Sequence, residues 1–179
     1  DWQRSVEINF TSQLRALHAL YPYRDRARTA DIALLAGGGT NNPFRCYSAY
    51  CVAKIGLIKM CELIDDEAED LNIFILGPGF VRTKTHFETL QAGDKAEGNL
   101  ERVRAFIESG AQGTRFEDIY ACLLWARENG RSTVGGRNLS VVHDPWGTQT
   151  LAEELLRDKD MFKLRRARNN NITMEKKET

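Results

Sequence analysis

Apolar residues recur at helical spacing from Trp2 through Val6, Ile8, Phe10, Leu14, Leu17 and Leu20, with Pro22 following, which predicts an amphipathic helix over residues 2–21. A polar, arginine-rich loop over 24–31 leads into Ile32-Ala33-Leu34-Leu35-Ala36, a short continuous apolar run stopped by Gly37-Gly38-Gly39. That length, with glycines after it, predicts a strand buried on both faces. Residues 48–68 form a second long helical pattern through Val52, Ile55, Leu57, Ile58, Cys61 and Ile64. Its acidic end, Asp65-Asp66-Glu67, opposes the helix dipole, which favours cations there. Leu71-Asn72-Ile73-Phe74-Ile75-Leu76 is a second strand pattern, stopped by Gly77-Pro78-Gly79. Residues 84–113 are charged and glycine-containing, with one helix expected at about 100–108. A helix over 116–127, a third strand over 137–142 and a last helix at about 149–156 follow. The tail over 169–179 has no apolar content to fold with.

Helices alternating with continuously apolar strands predict an α/β chain whose parallel sheet is covered on both faces. Ligands of such sheets sit beyond the carboxyl ends of the strands. Both glycine breakers, 37–39 and 77–79, therefore fall on the expected functional edge.

Composition narrows the partners. The chain has 179 residues, 25 basic and 25 acidic side chains and a sequence pI near 7.0, without the basic footprint of a nucleic-acid binder. No run of 18 apolar residues and no charged-then-apolar leader pattern is present, so neither a membrane span nor a secretory signal is expected. Cys46, Cys51, Cys61 and Cys122 make no C-x-x-C pair, and His18, His86 and His143 are scattered. The expectation is no metal site, and reduced, mostly buried thiols in a cytoplasmic protein.

The candidate chemistry lies just after the first glycine run. Tyr50 and Lys54 are four residues apart, so on a helix they share one face. An ammonium there favours phenolate and draws the tyrosine below its usual value of about 10, making it a proton donor and acceptor near neutral pH. Alone, the same spacing also describes an ordinary helix with one tyrosine and one exposed lysine.

In context the chain resembles the short-chain dehydrogenase/reductase family over residues 1 to about 142. Residues 1–10, with Asn9, resemble that family's fourth helix, and residues 32–39 its fifth strand. Tyr50-x-x-x-Lys54 resembles its catalytic pair, and Pro78-Gly79-Phe80-Val81-Arg82-Thr83 the loop after its sixth strand. The resemblance implies part of a Rossmann-type, doubly wound sheet with flanking helices, and an oxidoreductase using NAD or NADP. It implies Tyr50, Lys54 and Asn9 as catalytic residues: Tyr50 exchanging the substrate proton, Lys54 holding the nicotinamide ribose and depressing the tyrosine pKa, Asn9 positioning a relay water. Tyr50, Lys54, Pro78, Gly79, Val81 and Thr83 are the implied cofactor contacts. A small alcohol or carbonyl is the implied substrate, a sugar or sugar derivative being one candidate. A homodimer or homotetramer through the helices at 2–21 and 48–68 is the implied assembly, with no nucleic-acid or membrane partner.

Two departures qualify these implications. The family usually carries a serine about thirteen residues before the tyrosine, where this chain has Ala36 and Gly37, with Thr40 the nearest hydroxyl. Losing a donor to a developing oxyanion costs about 2.7–4 kcal/mol. Either Thr40 or a backbone N–H of the glycine run substitutes, or the chain is a poor catalyst. The dinucleotide fingerprint is also missing, and Gly37-Gly38-Gly39 lacks its spacing. The adenosine half of the site and the first four strands are therefore expected to lie outside these residues. With a first residue of Asp1 rather than Met, the sequence reads as a remainder of a longer product. The strand at 32–36 should then expose an apolar edge. The competing reading is a truncated or degenerate scaffold without catalysis.

Residues 1–147 are taken as the catalytic portion, 148–168 as a helical extension and 169–179 as a flexible tail. The extension, with Trp146 before it and Leu164-Arg165-Arg166 within it, is similar to that of a subgroup of the family. Trp146 and Phe162 are expected to pack on the domain, with a lid or an oligomer contact as the alternatives. The Arg24–Arg28 loop and the Arg165-Arg166-Arg168 cluster are expected to be solvated charge.

Overall fold

A computed structural model describes residues 1–167, the side chains of residues 84 and 85 excepted. The expected tail over 169–179, residue 168 of the extension and Arg168 of the basic cluster lie outside the described residues. Among those described, no helix is long and apolar enough to cross a membrane.

Three parallel strands, β1 (Ala30–Leu35), β2 (Leu71–Gly77) and β3 (Asn138–Ser140), form the sheet in the order β1-β2-β3. β1 and β2 pair from Ala30 against Leu71 to Leu35 against Leu76. β2 is central, and its residues 71–76 are all buried. Leu71, Ile73 and Ile75 join one core with Leu34, Leu57, Ile58 and Cys61, against which Phe10, Leu14 and Leu17 pack. Phe74 and Leu76 join the opposite core with Cys122, Ala126, Val134, Leu139 and Leu155. Successive side chains of a strand point to opposite faces, so a strand covered on both sides has no polar alternation. That is why its sequence is apolar apart from Asn72, whose Nδ2 donates to Asp31 Oδ1 at 2.7 Å, and why helices pack on both faces of β2.

The expected helix over 2–21 is α1 (Trp2–Val6), a π-helical turn over Glu7–Thr11 and α2 (Ser12–Leu20), closed by a 3₁₀ turn at Tyr21–Tyr23 that contains Pro22. It packs on α3 (Ser48–Glu67), where the Phe10 ring lies 3.5 Å from the place of a β-carbon on Gly56. The acidic end of α3 is offset by Arg131, whose Nε donates to Asp65 Oδ1 at 2.9 Å and whose Nη2 donates to the Asp65 carbonyl.

Three expectations are corrected. Residues 84–113 hold two helices, α4 (Lys84–Ala92) and α5 (Gly98–Glu108), rather than one. A short helix, α7 (Arg131–Val134), follows α6 (Phe116–Asn129). The third strand stops at Ser140 rather than 142, because Asp144 folds back to accept the Ser140 N–H at 2.6 Å and a turn begins.

β1 has a strand neighbour on one side only among the described residues, and its outward face, Asp31, Ala33 and Leu35, is exposed, Leu35 by 54%. The strand edge is thus open, and the expected burial of β1 on both faces is corrected: among the described residues only its inward face, with Leu34, is packed. Of the cysteines, Cys51, Cys61 and Cys122 are buried and Cys46 is exposed, all as free thiols. Burial pushes Cys61 and Cys122 up to about 12, so neither is a nucleophile at neutral pH.

The extension after β3, with α8 (Gln149–Arg157), is fastened to the domain by Arg137, only 2% exposed. Its guanidinium donates to the carbonyls of Leu155 (2.5 Å), Met161 (2.5 Å) and Asp158 (3.0 Å), capping the end of α8. Trp146 and Phe162 pack against the second core, as expected, and Trp146 Nε1 donates to the Val141 carbonyl at 2.8 Å. Arg137→Met keeps the apolar stem but strands those carbonyls. Hydrogen bonds to charged groups contribute about 1.5–3 kcal/mol, so a loss of roughly 3 kcal/mol is expected in urea unfolding. An unchanged midpoint would contradict this role.

Candidate functional site

The pairing of Leu35 with Leu76 puts the two glycine breakers at the same carboxyl edge of the sheet, and Ala36 N–H donates to the Leu76 carbonyl at 2.8 Å. α3 begins at Ser48, so Tyr50 and Lys54 occupy its first two turns. Lys54 Nζ stands 5.8 Å from the Tyr50 ring centroid and donates to the Leu35 carbonyl at 2.9 Å. The lysine thereby fastens α3 to the last residue of β1.

The Tyr50 hydroxyl rests against Gly37. A β-carbon built on Gly37 would stand 2.0 Å from Tyr50 Oη and 2.7 Å from Cζ. Burial pushes the Tyr50 phenol above its ordinary value, Cys51 adds to this, and the Gly38 backbone N–H works against it. Burial pulls Lys54 down. The expected lowering of Tyr50 by Lys54 is therefore corrected: the ammonium is bonded to a carbonyl, and desolvation dominates both groups.

Asn9 lies in the π-helical turn of the neighbouring helix, and its Nδ2 donates to the Ser5 carbonyl at 3.0 Å within its own helix. The adjacent Phe10 touches α3 at Gly56, two residues beyond Lys54. Pro78 and Gly79 follow β2 directly. Gly79 has φ +77, and a β-carbon there would stand 2.4 Å from Val142 Cγ2 and 2.7 Å from Thr114 Oγ1, so glycine is required by both conformation and space. Val81 makes an antiparallel bridge to Gly113. Thr83 opens α4, its N–H donating to His86 Nδ1 at 3.4 Å. Burial holds His86 below its usual pKa, which suits a neutral ring accepting at Nδ1. Tyr50, Lys54 and the 78–83 loop thus share one edge of the sheet, while Asn9 stands on the helix beside α3.

The sequence reading missed the ties between the loop before α3 and the segment over 84–108. Phe44 stacks on Tyr47 with ring centroids 4.6 Å apart, and Tyr47 meets Tyr50 edge-on at 6.5 Å. The Tyr47 hydroxyl shares a 2.9 Å hydrogen bond with Thr89 Oγ1 of α4. Asn99 Nδ2 donates to the Arg45 carbonyl at 3.3 Å, and Arg45 pairs with Glu97 at 3.0 Å. Phe80 stacks with His86 at 5.1 Å and tilts against Phe106 at 5.0 Å. The available signals were Tyr47, three residues before Tyr50, and Thr83-x-x-His86 as a helix start.

Comparison with known proteins gives three kinds of match. Residues 1–93 match the family model described as short chain dehydrogenase. A curated Bacillus subtilis (strain 168) protein, benzil reductase ((S)-benzoin forming), is 27% identical over 140 residues, covering 72% of this chain and 56% of that protein. A crystal structure of a short chain dehydrogenase/reductase from Saccharomyces cerevisiae superposes with a TM-score of 0.69 at 21% identity, over 85% of this chain and 59% of that one. The KRED1-Pglu enzyme superposes with a TM-score of 0.56 at 22% identity, over 61% and 46%. The chain therefore spans less than three fifths of the length of these relatives.

Tyr47→Phe removes the hydroxyl bonded to Thr89. A neutral hydrogen bond contributes about 0.5–1.5 kcal/mol, so amide exchange in α4 should rise roughly fivefold while β2 is unaffected. Unchanged exchange in α4 would mean that this bond does not hold the helix.

Proposed function

Because this chain belongs to the short chain dehydrogenase family, we propose that it is the catalytic portion of an NAD(P)-dependent oxidoreductase that interconverts a small carbonyl compound and its alcohol. The observation that carries the reading is the juxtaposition of Tyr50 and Lys54, at the end of β1, with the Gly77–Gly79 loop, at the end of β2.

The residues present suit the nicotinamide half of a dinucleotide. Lys54 is a cation anchored at the sheet edge, and Pro78-Gly79 turns the chain directly at the end of β2, with Gly79 at φ +77. In this reading Lys54 holds the ribose, while Pro78, Gly79, Val81 and Thr83 hold the nicotinamide amide and phosphate. When bound, the nicotinamide supplies or accepts the hydride. Tyr50 gives its hydroxyl proton to the substrate oxygen in reduction and takes it back in oxidation. Asn9 serves the proton relay behind Lys54; π-helical turns such as the one that holds it are frequent at functional sites.

The substrate in this reading is a small carbonyl compound with an aromatic group, supported by the Phe44–Tyr47–Tyr50 ring series and by the relative named benzil reductase. Ile8, Val52 and Leu63, exposed on the outer faces of the first helix and α3, support pairing with a second copy. The uncovered face of β1 favours a second reading, a non-catalytic scaffold.

NADH and NADPH titrations followed by fluorescence separate the two. Micromolar binding supports the enzyme, and no binding at millimolar cofactor supports the scaffold. With benzil as substrate, Tyr50→Phe should lower turnover by at least about a hundredfold while cofactor affinity is kept. Retained turnover would exclude Tyr50 as the proton donor.

A further inference from the structure

Gly37 sits thirteen residues before Tyr50, at the place where the resemblance leads one to expect a serine. Its backbone is not in the left-handed region, so glycine is not demanded by conformation. The demand is spatial. A β-carbon on Gly37 would fall 2.0 Å from Tyr50 Oη, 2.7 Å from Cζ and 3.1 Å from Cε1, so the phenol fills the volume of the absent side chain. What meets the β-carbon is the far end of a side chain rather than backbone, so Tyr50 is the group that must give way. The next residue is different. A β-carbon on Gly38 would meet only Phe44 Cε1 at 3.9 Å, an ordinary contact.

We propose that Gly37 is a positioning residue: its missing side chain seats the Tyr50 hydroxyl against the glycine-run backbone at the end of β1, so this chain holds its tyrosine by main chain where a serine would displace it. Lys54, fixed to the Leu35 carbonyl, stands 5.8 Å from the same ring, and the Tyr47 ring meets it near-perpendicular at 6.5 Å. The Gly38 backbone N–H favours the phenolate in this seat. The catalytic consequence rests on the reading of Tyr50 as proton donor. The seating itself does not.

The test uses Gly37→Ala, Gly37→Ser and Gly38→Ala in the 179-residue chain with ¹³C-labelled tyrosine, the Tyr50 signal being assigned with Tyr50→Phe. In the unaltered chain the Tyr50 ring should titrate above about 10, the ordinary tyrosine value. Both Gly37 variants should move its resonance and bring its midpoint down toward that value, as the ring is driven toward water. Gly38→Ala should leave both in place. A Tyr50 resonance and midpoint unchanged by Gly37→Ala would overturn the proposal.

A stability cycle covers the case in which Gly37→Ala folds poorly. The drop in melting temperature caused by Gly37→Ala should disappear in a Tyr50→Ala background, where the colliding ring is gone. An equal drop in both backgrounds would also overturn the proposal. In turnover with benzil, Gly37→Ser should lower kcat/KM at least tenfold. A rise would mean that the serine completes the site rather than displacing the tyrosine. Failure of the unaltered chain to bind NADH or NADPH would remove the functional reading while leaving the titration and the stability cycle as tests of the seat.

Discussion

The parallel pairing of β1 with β2 is the constraint from which the rest follows. Leu35 opposite Leu76 brings two chain breaks, 37–39 and 77–79, to the same edge, although about forty residues separate them in sequence. Neither break can slip along the sheet, because a one-residue shift would turn Ile73 and Ile75 away from the α3 core and Phe74 and Leu76 away from the α6 core. Each such side chain contributes about 1.5–3 kcal/mol on burial. The position of the candidate chemistry is thus a by-product of packing a strand on both faces. Lys54 reads the same constraint directly, since its ammonium bonds to the carbonyl of the last residue of β1.

Electrostatics at that edge are governed by burial more than by charge pairing. Tyr50 is raised and Lys54 is lowered, and the lysine's nearest polar partner is a carbonyl rather than the phenol. Both shifts favour neutral forms, which is what desolvation does to an ionisable group.

Much of this was legible in the sequence, for identifiable reasons. Residues 71–76 read as a strand because burial on both faces removes polar alternation, 32–36 read as one from a short apolar run ended by glycines although one face of it is exposed, and 48–68 read as a helix because its apolar residues keep a 3.6-residue period. The Tyr50 and Lys54 spacing and the two glycine breaks were visible as motifs. The π-helical turn at Glu7–Thr11 was not, since one inserted residue barely alters the apolar stripe. α4 was hidden by a polar sequence whose start depends on the pairing of Thr83 with His86. The role of Arg137 was not legible, since the three carbonyls it bonds reach it only when α8 and the segment after it fold back. The contact between Gly37 and Tyr50 is likewise tertiary: the sequence marks a missing serine but not what fills its place.

In the function proposed above, the nicotinamide half of a cofactor binds at the carboxyl edge of β1 and β2. At the other end of β1 an open hollow of about 450 Å³, lined by Arg24, Arg28, Asp31 and Arg127, offers a rival site for an anionic dinucleotide. Amide hydrogen exchange, with and without saturating NADH or NADPH, distinguishes the two. Binding at the carboxyl edge predicts slowed exchange over residues 35–40, 47–54 and 77–83, with 24–31 and 127 unaffected. Protection confined to 24–31 and 127, or none anywhere at saturating cofactor, would contradict it.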